Sequence, residues 1–325
     1  MFLNSEKTAP LRNRIFVREL AVGIAATLIF FTSVLLIPMM GIFVGVFTPL
    51  PTLLSYYRWG YPLGLLVPGG ALLGGWLLFS YLSITQSMPY LLEMLLLGLV
   101  LAIGMRRKWP LEKTIGTAGL LVFVTGSLIF LQTQGFDTGG IFKSLEEGLR
   151  KTVDLTLQQY AGVTPETRMF EESLAGIIPV VVRILPGASL ASAFVMSWLN
   201  LLLAKRFCEV RHIPLPPWGR WTKWKASEAL VWMVIITGFS LLLPIQPVKI
   251  IALNVLIVLG TVYLFQGLAI ISFYFERWRL PKILRAIFYG FLLLQQFASL
   301  GAVLLGFFDV WFDFRRLSKE SASSA

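Results

Sequence analysis

Long apolar runs, separated by short charged clusters, fill the chain from residue 19 onward. A run of about twenty apolar residues is long enough to cross the hydrocarbon core of a bilayer as a helix. Such runs fall at 19–38, 42–57, 61–84, 89–105, 114–133, 173–204, 229–243, 250–273 and 287–308. They predict an all-α fold, a polytopic transmembrane helical bundle of about eight or nine membrane segments. The stretch 134–172 has a different period. There Ile141, Leu145, Leu149, Val153, Leu157 and Tyr160 recur at three- and four-residue steps. Lys143, Glu146, Glu147, Arg150, Lys151 and Asp154 occupy the other side. This pattern predicts one amphipathic interfacial helix, at the membrane surface or capping the bundle. The organisation expected is therefore a basic cytoplasmic tail (1–18), N-terminal membrane helices (19–133), an extracytoplasmic segment (134–172), C-terminal membrane helices (173–310) and a polar tail (311–325).

Proline and glycine punctuate three of the runs. Pro38 and Gly41 precede the run 42–57, which holds Phe47-Thr-Pro-Leu-Pro51. That run is either a full crossing or a re-entrant pair of half-helices, since irregular backbone at depth must be surrounded by protein or water. The run 61–84 carries Gly64, Gly69, Gly70, Gly74 and Gly75. Its Gly70-x-x-x-Gly74 face suits close helix packing, and the sharper alternative is room for a ligand beside the backbone. The run 173–204 is too long for one straight crossing, and Pro179 and Pro186-Gly187 are expected to divide it.

Composition agrees with a membrane class. Of 325 residues, 56% are hydrophobic and 14% charged; a soluble domain carries about 25% charged residues. The net charge of +11 lies in clusters between the apolar runs. That is the positive-inside pattern of membrane topology and not a basic stripe with interleaved aromatics, so nucleic acid is not an expected partner. Arg12, Arg14 and Arg18 precede the first run as in a signal peptide. The run exceeds the roughly 7–15 residues of a signal core and no small-residue cleavage site follows, so a retained helix with a cytoplasmic N-terminus is expected. If 42–57 crosses, the clusters at Arg58, Arg106, Lys205 and Arg277 all fall inside. Arg315 and Arg316 then fall outside, a conflict that a re-entrant last segment or a different count would remove. The loop 214–225 mixes Trp218, Trp221 and Trp224 with Arg220, Lys223 and Lys225, as interfacial anchors do. The location expected from these features is a membrane, with the N-terminus on the cytoplasmic side.

Candidate chemistry is sparse. Cys208 and His212 are each the single residue of their type, so no disulfide and no structural zinc site can form within the chain. A Walker A loop, a dinucleotide-binding glycine fingerprint, HExxH and GxSxG are all missing. No nucleotide-hydrolysing part, no cofactor and no enzymatic activity are expected. Glu93 and Arg183 lie within apolar runs, where a charge is costly unless it faces protein, a cavity or a partner. They are read as lining a common polar centre, with snorkelling to the interface as the plainer alternative for Glu93. Asn200 and Gln266 join them as candidate ligand-binding residues. Like Asn254, Gln295 and Gln296, each more often makes an interhelical hydrogen bond. Asp309 and Asp313 are expected at the interface with Arg315 and Arg316 as structural ion pairs.

Four patches carry a resemblance. They are Gly45-Val-Phe-Thr-Pro-Leu-Pro51; Pro216-Pro-Trp with Trp221, Trp224 and Leu230-Val-Trp232; Phe265-Gln-Gly-Leu-Ala-Ile-Ile271; and Gly306-Phe-Phe-Asp309-Val-Trp-Phe-Asp313-Phe-Arg315. Through them the chain resembles the YybS-like family of predicted bacterial membrane proteins, defined by a domain of unknown function. That family implies a polytopic inner-membrane protein and assigns no functional residues. It is in turn distantly similar to the substrate-capture subunits of energy-coupling-factor transporters. Those dock on a membrane partner through small residues of the first helix, a place held here by Ala21 and Ala25. The function expected is a small-molecule binding or transport subunit without its own ATPase. The alternative is a non-catalytic scaffold assembling envelope proteins. The partners expected are the lipid bilayer and a membrane protein or a second copy of the chain.

Overall fold

In the computed structural model, which describes residues 9–133, 138–160 and 165–316, the apolar runs are helices. The described residues form twelve α-helices and no strand. They are α1 (Ala9–Leu36), α2 (Pro38–Gly45), α3 (Pro49–Trp59), α4 (Leu66–Tyr81), α5 (Met88–Arg106), α6 (Leu111–Thr133), α7 (Thr138–Tyr160), α8 (Pro165–Val210), α9 (Ala229–Ser240), α10 (Gln246–Arg277), α11 (Lys282–Leu294) and α12 (Gln296–Phe312). Six stretches are single helices long and apolar enough to cross a membrane: Phe16–Leu36, Leu63–Tyr81, Thr85–Arg106, Leu111–Gln132, Gly176–Val210 and Gln246–Arg277. A seventh arises if α11 and α12, bent by 102°, form one span. The other two expected segments are built from shorter pieces: α2 with α3, and the 12-residue α9.

The chain forms two units. One is drawn from Met1–Phe136 and Ser192–Pro217, the other from Asp137–Ala191 and Trp218–Ala325. The boundary falls inside α8, so the two units are not consecutive stretches of sequence.

In the first unit, Phe31, Ala71, Phe79, Leu91 and Leu95 form an apolar core between α1, α4 and α5. Gly70 and Gly74 of α4 face Ile24 and Leu28 of α1, so the glycine face of this segment serves helix packing. The broken pair α2–α3 runs back to the start of α1. Arg58, in the last turn of α3, pairs with Glu19 at 2.6 Å. Arg106, at the end of α5, donates to the Tyr57 carbonyl at 3.0 Å, and the Tyr57 hydroxyl donates to the Pro214 carbonyl. Glu19, Arg58, Arg106 and Pro214 therefore share one end of this unit. Segment 42–57 is thus a broken helix pair antiparallel to α1, and the clusters at Arg58, Arg106 and Lys205–Arg211 gather at one end as the positive-inside pattern requires.

The helix α8, of which residues 165–191 belong to the second unit, continues through Pro179 and Pro186 over 46 residues, so the expected division there does not occur. A proline removes one backbone donor and its ring crowds the carbonyl four residues earlier. Membrane helices tolerate this when a neighbour satisfies the freed groups. Asn254 of α10 bridges the rung beside the proline. Its side-chain amide donates to the Arg183 carbonyl at 2.9 Å and accepts from the Gly187 N–H at 2.5 Å. A continuous helix would bond those two groups to each other. A Cβ at Gly187 would lie 2.7 Å from the Asn254 backbone, so the close approach needs glycine.

The helix α12 packs on α10 through a second close approach. A Cβ on Gly267 would collide with the Ala302 carbonyl, and one on Gly306 with the Tyr263 carbonyl. The run 287–308 is not straight. Gln295 is extended (φ −102°, ψ 107°) and joins α11 to α12 at the 102° bend. The chain enters and leaves this bent pair at the same end of α10. Arg285 donates to the Phe275 and Leu280 carbonyls, and the Tyr274 hydroxyl donates to the Phe314 carbonyl at 2.8 Å. Arg315 and Arg316 therefore share the end that carries Arg277 and Arg279, which removes the charge conflict of the sequence reading.

In α7, Leu145, Leu149 and Val153 are half-buried, while Lys143, Glu147, Arg150 and Lys151 are exposed. The amphipathic pattern holds over those positions, with Glu146 and Asp154 half-buried as departures. The side chains of Ile141, Leu157 and Tyr160 lie outside the described residues, as do residues 161–164, 317–325 and the side chains of Arg12 and Arg14.

Candidate functional site

The most developed polar arrangement is a buried clasp in the second unit. Asp309 of α12 is 1% exposed, Arg315 3% and Gln266 of α10 0%. The Arg315 Nη2 donates to Asp309 Oδ2 at 2.7 Å, and Gln266 Nε2 donates to the same oxygen at 3.0 Å. The Phe314 N–H donates to Asp309 Oδ1 at 2.9 Å. Arg315 Nη1 donates to the carbonyls of Thr222 and Trp224, each at 2.9 Å. Gln266 Oε1 accepts from the Ala226 N–H at 3.1 Å. The left-handed Asp313 (φ 40°) turns the chain after α12, so that an arginine six positions beyond Asp309 folds back onto it.

The clasp joins α10, α12, the 222–226 segment and the end of α12. Three of the four patches that carried the resemblance meet in it. The expected ion pair forms between Asp309 and Arg315, and it is buried among protein groups. Two charges withdrawn from water are tolerable because they face each other and their other polar atoms are largely bonded. Both halves of the Gln266 amide and both carboxylate oxygens of Asp309 are committed, while Arg315 Nε is buried with no partner among the described residues. Its geometry suits holding elements together rather than moving a proton.

The other candidate residues are distributed between the units. Glu93 and Asn200 belong to the first, Arg183 and Gln266 to the second. Among the described residues no hydrogen bond or ion pair joins Glu93 to Asn200, or Arg183 to Gln266. Glu93, half-buried in α5, lies against α6, where a Cβ on Gly126 would sit 2.7 Å from its Oε1. No protein group among the described residues bonds to its carboxylate. Asn200 is 0% exposed. Its Nδ2 donates to the Val46 carbonyl at 2.9 Å, at the break between α2 and α3, while its Oδ1 is buried without a partner. Thr52, early in α3, is 0% exposed and its hydroxyl likewise lacks a partner. The Arg183 side chain is exposed on α8. Ala21 and Ala25 of α1 are also exposed, on a different face from Gly23 and Ile24, which meet Val67 and Gly70 of α4.

Cys208 is buried and His212 sits exposed on the loop after α8. Among the described residues, no group of three or more His, Cys, Asp and Glu side chains is placed to hold a metal ion. The clasp itself escaped sequence reasoning as a unit. Its sequence signals were the expected Asp309–Arg315 pairing and the place of Asp309, Gln266 and Arg315 within the resembling patches.

The folding of apolar runs into long helices, with polar side chains bonded across them, defines a polytopic α-helical membrane protein. Over residues 25–310 the chain matches the predicted membrane protein family DUF2232, and it belongs to that family. No curated protein and no solved structure matches it.

Proposed function

We propose that this chain is a small-molecule binding or transport subunit of a bacterial inner (cytoplasmic) membrane, with a cytoplasmic N-terminus and no ATPase or catalytic step of its own. The observation that carries the proposal is Glu93. It is a carboxylate within a helix long and apolar enough to span a membrane, given room by Gly126 and without a partner among the described residues. A charge at that depth is costly unless something pairs with it. A cation or a ligand bearing a cationic group would do so. The same unit holds a broken helix pair whose neighbourhood contains two buried, unpartnered polar atoms, Asn200 Oδ1 and Thr52 Oγ1. Broken helices near mid-membrane commonly build such sites. The exposed Ala21–Ala25 face suits docking of a membrane partner, as the resemblance to substrate-capture subunits implies. The basic ends of both units favour the cytoplasmic side. Arg183 and Gln266 are secondary candidates, Gln266 having its amide engaged in the clasp.

A scaffold role for envelope proteins is the second reading. It is favoured by α7, whose exposed Lys143, Glu147, Arg150 and Lys151 offer a charged face outside the spans. Native mass spectrometry of the full chain, gently solubilised from bacterial membranes, separates the two. A small molecule retained by the wild type and by Glu93→Asp, and lost from Glu93→Gln, supports the binding role. Identical spectra for wild type and Glu93→Gln, with envelope proteins co-purifying in stoichiometric amounts, would replace it with the scaffold.

A further inference from the structure

Most of the basic groups at the membrane-facing ends are engaged. Arg58 pairs with Glu19, Arg106 caps carbonyls of α3, and Arg107 and Lys113 lie over the Trp109 ring. Lys205 and Arg206 meet Glu209, and Lys225 meets Glu228. Arg220 pairs with Glu276, which leaves that carboxylate unavailable to its neighbours. Arg285 holds carbonyls at the end of α10, and Arg315 is in the clasp. The turn between α10 and α11 is different. Arg277, Arg279 and Lys282 are all exposed, and no group among the described residues bonds to their side-chain cations. Trp278, between the two arginines, is 64% exposed.

The helix that follows carries two polar anchors on its inner side and a broad apolar outer face. Its inward groups are Leu292, Arg285 and Tyr289, the last in a 2.7 Å hydrogen bond with Ser272. Its outward groups are Ile283, Leu284, Ile287, Phe291 and Leu294, from 48% to 85% exposed. The polar bonds pin the helix with its apolar side out, and the 102° bend at Gln295 directs it away from the line of α12. Three unpaired cations, an exposed tryptophan and a contiguous apolar face need an occupant that is anionic at one end and hydrocarbon at the other.

We infer that the α10–α11 turn and the outer face of α11 form a binding site for anionic phospholipid of the surrounding leaflet. Arg277, Arg279 and Lys282 take the headgroup phosphate, Trp278 sits at headgroup level, and α11 lies among the acyl chains. An acidic protein would satisfy the cations and leave the apolar face of α11 uncovered; free phosphate would do the same. Cationic clusters beside a membrane helix gain from anionic lipid at every residue, so the preference falls steeply when three are removed.

The test uses the full chain in nanodiscs with equal amounts of phosphatidylglycerol and phosphatidylcholine, followed by mass spectrometry of the lipids retained after mild detergent extraction. The wild type retains phosphatidylglycerol selectively. Arg277→Gln, Arg279→Gln and Lys282→Gln together lower that selectivity on the order of tenfold or more. A charge-matched control, Arg107→Gln, Lys108→Gln and Lys113→Gln, leaves it unchanged. The conservative set Arg277→Lys, Arg279→Lys and Lys282→Arg keeps it, which separates charge from misfolding. Inorganic phosphate in excess does not displace the lipid. Equal retention of the two lipids by the wild type, undiminished selectivity in the triple glutamine variant, or displacement by phosphate would each overturn the inference.

Discussion

Replacing Arg315 with methionine tests the clasp most sharply. The change removes the cation from a carboxylate that is 1% exposed and takes the donor from the Thr222 and Trp224 carbonyls. Breaking a buried pair from one side costs about 3–5 kcal/mol, because a charge is left without a partner in a poorly solvating site. Against a total stability of about 5–15 kcal/mol, that loss is a large part of what holds a typical domain folded. Asp309→Asn strands the arginine instead, although its two carbonyl bonds remain. Together the two substitutions leave neither charge behind, so the double variant should lie roughly 2 kcal/mol or more above the sum of the singles. The assay is the thermal midpoint and denaturant midpoint of the full chain in detergent, followed by fluorescence-detected size exclusion. Arg316→Met, at an exposed position in the same turn, serves as the control and should match wild type. If Arg315→Met behaves like Arg316→Met, or if the two single losses add without coupling, the clasp does not hold these elements together.

Three other outcomes can be checked on the same material. Asn254→Leu should destabilise by about 1–3 kcal/mol, since the Gly187 N–H and the Arg183 carbonyl lose their partner in an apolar setting. In a Pro186→Ala background the cost should shrink, because the helix regains a donor next to the rung that Asn254 bridges; an equal cost in both backgrounds would refute the bridge. Gly267→Ala should lower the yield of monodisperse protein, because its Cβ meets the Ala302 carbonyl, whereas Gly301→Ala, with open space around it, should match wild type. Gly126→Val should push on the Glu93 carboxylate and abolish whatever ligand Glu93→Gln abolishes, with the native mass spectrum as the readout.

The helical spans were legible because hydrocarbon demands one thing of a sequence, a run of about twenty apolar residues, whatever its partners. The finer architecture was not, and particular residues say why. Pro186 reads as a break on its own, and the bridge that Asn254, distant in sequence, makes across the neighbouring rung has no local signal. Residues 287–308 read as one apolar run because Gln295 and Gln296 are uncharged; the bend between them depends on Arg285 and Tyr289 being anchored to the end of α10. The positive-inside pattern nevertheless flagged that region through the misplaced Arg315 and Arg316. Asp309 and Arg315 suggested an ion pair, and their burial followed only from the left-handed turn at Asp313 and from backbone carbonyls that no side-chain pattern reveals. Candidate site residues were identified by depth alone, which locates Glu93 correctly within a span and carries no information about which residues share its unit.

The central claim is that the last membrane segment is re-entrant, so that the chain leaves α12 at the end of α10 where α11 begins. It is tested by single cysteines at Ile245, Arg279 and Arg316 in a Cys208→Ser background, labelled with a membrane-impermeant maleimide in right-side-out and inverted bacterial membrane vesicles. Positions 279 and 316 should label together in one vesicle orientation, and position 245, at the other end of α10, in the opposite one. Labelling of position 316 with 245, and apart from 279, would contradict it.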